Sequence, residues 1–170
     1  TDDKAIISEK ISLPSTTLLY YDDVMRREFD ASVLGCFEIS HDDASFAVIL
    51  DRTCFYPEGG GQEGDHGELL TEANSAKVID TQKYGEYVLH LTDQALEIGD
   101  IVRGALDWSR RKQLMDHHTA VHVVGGAARR LLGPHVYQAG ANKSVDSARL
   151  DITHYSRLTR EDLDEIEELS

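Results

Sequence analysis

The sequence predicts an α+β protein in two parts: a β module over residues 1–107 and the first half of an α+β domain over 108–170. Two observations carry this. Short apolar runs recur between Glu28 and Asp107, broken by His-Asp-Asp, Gly-rich and Asn-Ser segments, the signature of a small barrel or sandwich. At Trp108 the apolar period changes to steps of three, four and seven, the period of a helix. With 170 residues, 41% hydrophobic and 28% charged, the chain can bury a real core.

Residues 1–24 form a lead-in, with an irregular Ser/Pro/Thr stretch over 12–17 followed by Leu18, Leu19, Tyr20 and Tyr21. Strands are expected over 32–39, 46–50, 67–70, 77–81, 84–91 and 102–107. Leu114, Met115, Val121, Val124, Ala128, Leu131 and Leu132 then mark a helix over about 109–132, with Ser109 as candidate N-cap and Gly133-Pro134 as the stop. Gly125 and Gly126 inside it cost ~1 kcal/mol each against Ala, which points to close approach of another backbone. Extended chain follows to about Thr153. A second helix begins at Thr159, with Glu161 and Asp162 favourably placed against its dipole, and runs on to Ser170.

The net charge of −14 is unevenly spread. Residues 1–100 hold 7 Lys/Arg against 21 Asp/Glu, 101–160 hold 10 against 4, and 161–170 hold six acids and no base. The basic window permits local phosphate contact in an otherwise acidic chain. Cys36 and Cys54 lack paired spacing and read as two buried, reduced thiols. No apolar run approaches the ~20 residues that cross a bilayer, and residues 1–10 carry no signal-peptide pattern. The start at Thr1 and the end inside a helix are those expected of an excised piece, cytoplasmic and without a membrane partner.

Three stretches carry chemistry. His118 and His122, at i and i+4, share one helix face about a turn apart, so two neutral imidazoles could hold one zinc at ~2.0–2.1 Å. Thr119 follows His118, so the His-Glu-x-x-His pattern of zinc proteases fails for want of its base. His117 points about 100° away on the helix. Phe55-Tyr56-Pro57-Glu58-Gly59-Gly60-Gly61-Gln62 frees three backbone units for positive φ and exposes N–H groups to a close ligand; such a run is otherwise a turn. In His135-Val136-Tyr137-Gln138-Ala139-Gly140, an extended strand could aim Gln138 back towards the histidine face.

Together these stretches, with Arg149-Leu150-Asp151-Ile152-Thr153-His154, resemble in order and spacing the editing region of alanyl-tRNA synthetases, and they share most of their pattern with the freestanding editing deacylases. The likeness spans about residues 18–168. Leu19-Tyr20-Tyr21-Asp22 and Ala139-Gly140-Ala141-Asn142-Lys143 look most like the archaeal type. The resemblance implies a translation-factor-like barrel ahead of an editing core similar to that of threonyl-tRNA synthetase. It implies hydrolysis of the ester in tRNA for alanine mischarged with serine or glycine, within an ATP-using ligase of protein synthesis. His118 and His122 match the first two zinc ligands, Gln138 the glutamine beside the substrate, and Gly59, Gly60, Gly61 and Gln62 the loop that reaches the tRNA end.

Gln138 and Thr119 are then candidates to position the attacking water or read a seryl hydroxyl. Arg110, Arg111, Lys143 and Arg149 are candidates to meet phosphate. One departure stands out: the family's later Cys-x-x-x-His does not occur in this sequence, so the remaining ligands are expected beyond Ser170. The chain alone is expected to bind zinc weakly and to be inactive. The alternatives are a freestanding trans-editing deacylase and a tRNA-binding module without chemistry.

Overall fold

A computed structural model describes residues 13–41 and 43–170, so the first half of the expected lead-in lies outside the described residues. Strands and helices are mixed, as the α+β expectation requires, and the chain divides into two compact units. The first comprises residues up to Gly59 and Gly64–Arg111, the second Gly60–Glu63 and Lys112–Ser170.

In the first unit, β1 (Thr17–Leu18) pairs in parallel with β4 (Arg52–Thr53), and a 3-10 turn at Leu19–Tyr21 follows β1. The other strands are β2 (Glu28–His41), β3 (Ala44–Leu50), β5 (Gly67–Leu70), β6 (Ser75–Tyr84), β7 (Tyr87–Thr92) and β8 (Ile101–Leu106). They close into a barrel in the order β2-β3-β7-β6-β5-β8, every neighbour antiparallel. Closure depends on the 14-residue β2. Its first five residues pair with β8, and from Val33 onward it pairs with β3 across a register shift between Val33 and Gly35. One bent strand thus serves two partners, and no long edge is left to template aggregation.

Alternation on β2 sends Phe29, Ala31 and Val33 inward, where they meet Val48, Leu50, Phe55, Leu69, Val78 and Val102. Each large apolar side chain buried there contributes roughly 1.5–3 kcal/mol. His90 lies in this unit fully buried. Its Nδ1 lies 3.0 Å from the Val48 carbonyl and its Nε2 2.8 Å from the Thr53 hydroxyl. A neutral ring satisfies both, donating from Nδ1 and accepting at Nε2, and burial lowers its pKa to about 4. Of the two thiols expected to be buried, Cys54 is, and burial pushes it up to about 11; Cys36 is only half-buried.

The long helix, α1, runs Trp108–Leu132. Its cap is not Ser109, which lies inside the helix, but Asp107, whose Oδ1 accepts the Arg110 N–H at 3.1 Å. It stops where expected: Gly133 takes φ +116 and its N–H bonds the Arg129 carbonyl at 3.1 Å. The glycine pair does not admit another backbone. A Cβ on Gly125 would meet only the Leu150 side chain, at 3.5 Å, and one on Gly126 nothing within 4 Å.

The second unit continues with an antiparallel hairpin of β9 (Gln138–Lys143) and β10 (Ala148–Ile152), and with α2 (Arg160–Leu169). Ala127, Ala128, Val136 and Ile166 form its small core, flanked by Val124, Leu132 and Ile152. Thr159 caps α2 with a reciprocal box. Its hydroxyl accepts the Asp162 N–H at 3.2 Å while the Asp162 carboxylate accepts the Thr159 N–H at 2.8 Å, which holds that carboxyl below its ordinary range.

Candidate active site

The helical period of α1 sets His118 and His122 on one face, and their Nε2 atoms come within 3.1 Å of each other. Two nitrogens bound to one tetrahedral zinc at ~2.05 Å would stand about 3.3–3.4 Å apart, so the pair fits two places of such a site. Among the described residues no group of three or more His, Cys, Asp or Glu gathers around a common point. His117 is no third donor: its Nδ1 lies 2.8 Å from the Ser144 carbonyl. Burial, then the positive Lys143 and then His122, lower the His118 pKa and favour the neutral imidazole that a metal requires.

The polar side chain that reaches this pair is Gln62, not Gln138. Gln62 is buried, and its Oε1 lies 3.1 Å from His118 Nδ1. Gln138 opens β9 with an exposed side chain that bonds neither imidazole. Thr119 is also exposed, and its hydroxyl donates to the Met115 carbonyl one turn back at 3.0 Å.

Gly60 and Gly61 both take positive φ, +59 and +73. Lys143 N–H donates to the Gly61 carbonyl at 2.6 Å, Glu63 N–H to the Lys143 carbonyl at 3.1 Å, and the Lys143 ammonium to the Gly60 carbonyl at 2.8 Å. A Cβ on Gly61 would run into the Ala141 carbonyl.

A family model described as tRNA synthetases class II (A) matches residues 5–110. The chain belongs to this family. Among curated proteins, this class II synthetase chain is 48% identical over 158 residues to the alanine–tRNA ligase of Haloquadratum walsbyi and 51% over 160 residues to that of Halobacterium salinarum. Each match covers 93% of this chain. The Metallosphaera sedula enzyme is 46% identical over 170 residues, covering 97%. The chain spans 17–18% of the length of these relatives.

Within this synthetase-family chain, two of the four bases expected at phosphate are interior. Arg111 is buried against Asp65 and the Cys54 carbonyl, because its guanidinium satisfies acceptors the barrel unit would otherwise strand. Lys143 is 3% exposed, its ammonium bound to the glycine loop. Arg110 is half-buried, with Nε 3.3 Å from the Gly64 carbonyl. Arg149 alone of the four is exposed, in a 3.2 Å ion pair with Asp151. Sequence spacing also gave no sign of the contact between His135 Nε2 and His154 Nδ1 at 2.9 Å, an exposed and a half-buried ring brought together by the β9–β10 hairpin.

No helix among the described residues is long and apolar enough to cross a membrane.

Proposed function

We propose that this chain is part of the editing region of an alanyl-tRNA synthetase, which in the complete protein hydrolyses the ester that joins serine or glycine to tRNA for alanine. The observation that carries the reading is the His118–His122 pair, with Nε2 atoms 3.1 Å apart on a helix of a class II synthetase chain. Its support is the likeness to alanine–tRNA ligases over 93% of the chain. In this reading the barrel is akin to those of translation factors and the second unit to the editing core of threonyl-tRNA synthetases.

His118 and His122 would hold zinc, with further ligands from residues that are not among those described. When bound, zinc supplies Lewis-acid polarisation at the ester or its attacking water. The chain's own residues do the rest. Thr119 commits its proton to Met115, so its oxygen presents lone pairs that can accept a bond from a seryl hydroxyl. Gln138 carries an exposed amide, donor and acceptor together, suited to orienting a water. Arg149 is the exposed base available to a phosphate of the acceptor end.

A separate site of this kind solves a chemical problem. An apolar pocket built for alanine rejects an added hydroxyl poorly, whereas a site that hydrogen-bonds the hydroxyl can demand it. The test is hydrolysis of serine esterified to tRNA for alanine by the complete gene product. Activity should disappear in His122→Ala while tRNA binding persists. Undiminished hydrolysis in that variant would remove the basis of the assignment.

A further inference from the structure

The glycine run was expected to face tRNA, but its geometry serves a second purpose. Gly60 and Gly61 take successive positive φ values that L side chains adopt only with strain. Behind them the chain is fastened to β9 by the Lys143 N–H, carbonyl and ammonium, at 2.6, 3.1 and 2.8 Å. Gly61 has no room for a side chain against Ala141. The result of this bend is that the next residue, Gln62, points inward. It is 6% exposed and pairs with Lys143 as an isolated parallel bridge.

The Oε1 of Gln62 is 3.1 Å from His118 Nδ1, and Nε2 of the same ring is 3.1 Å from His122 Nε2. A neutral imidazole has one N–H and one lone pair. An amide oxygen can only accept, so it requires the proton on Nδ1. The lone pair is thereby left on Nε2, on the side facing His122. Had the proton sat on Nε2, His118 could not act as a ligand there.

We infer that Gln62 is a positioning residue that fixes the orientation and tautomer of His118, and that the glycine run is shaped to deliver it. The consequence for catalysis rests on the proposed editing function, but the tautomer does not. Partners of this kind typically change metal affinity 10–100-fold when removed.

The test compares the complete gene product with its Gln62→Leu variant, which keeps the volume but cannot accept, and its Gln62→Glu variant, which accepts more strongly. Imidazole nitrogen NMR at pH 8 without metal reads the His118 tautomer directly. Nδ1–H should predominate in the parent and in Q62E, and Nε2–H should rise in Q62L. Titration with Zn2+ alone should show Q62L weakened about 10–100-fold and Q62E at least as tight as the parent.

Amide exchange at Lys143 shows whether the loop is intact in each variant, and recovery in Q62E separates positioning from loss of fold. An Nε2–H tautomer in the parent overturns the inference, as does a tautomer unchanged in Q62L. A tautomer shift in protein that takes up no Zn2+ would support the positioning role and count against the editing reading.

Discussion

Arg111 and Asp65 form an ion pair whose side chains are 3% and 1% exposed. The Arg111 Nε lies 2.9 and 2.8 Å from the two carboxylate oxygens, and its Nη2 donates to the Cys54 carbonyl at 2.8 Å. Asp65 also accepts the Tyr56 N–H at 2.7 Å, and its own carbonyl accepts the Thr81 hydroxyl. One guanidinium therefore ties the start of α1 to the segment after β4. It cannot turn to a phosphate without stranding a buried carboxylate.

Replacing Arg111 by Met should therefore destabilise the first unit by about 3–5 kcal/mol, the cost of an uncompensated buried charge. Arg149→Ala, which loses only an exposed ion pair, should cost less than about 1 kcal/mol. Denaturant melts of both variants measure the contrast. Equal, small losses would mean that Arg111 is not the internal tie described.

His90 sets a pH dependence. Its folded pKa of about 4 lies below the ordinary 6.5, so between these values the unfolded chain binds the extra proton. Its share of stability is complete above pH 6.5 and is lost as pH falls towards 4. Between pH 7 and 5 the loss should be about 2 kcal/mol. Urea melts across that range should show a shallower slope in His90→Gln than in the parent, and parallel slopes would contradict the buried neutral ring.

Gly61→Ala should cost about 1–3 kcal/mol, since it combines positive φ with a collision against the Ala141 carbonyl. Gly60→Ala, with φ +59 but open space around it, should cost about 1 kcal/mol or less. Amide exchange at Glu63 and Lys143 reports the difference. If the two variants behave alike, the close fit of the loop on β9 is not what holds it.

Much of the site's frame was legible because it is local. An i, i+4 spacing puts two imidazoles on one face of any helix, and Thr159 followed by Asp162 announces a capped start. The stop at Gly133 was equally plain. Errors arose where local rules tie: Asp107 and Ser109 are both acceptable caps, and only the register of the first turn chooses between them. The Gly125–Gly126 pair meets no other backbone, because a missing Cβ permits a close approach without requiring one.

The sequence by itself determined the kinds of elements, the histidine pair and the family to which the chain belongs, since each is written in neighbouring residues or ordered motifs. The tertiary structure alone decided that Gln62 rather than Gln138 reaches His118 across 56 positions, and that Arg111 and Lys143 turn inward. The reason is physical. Hydrogen-bond partners and burial depend on which distant segments chain closure brings within 3 Å, and no residue carries that distance in its own identity.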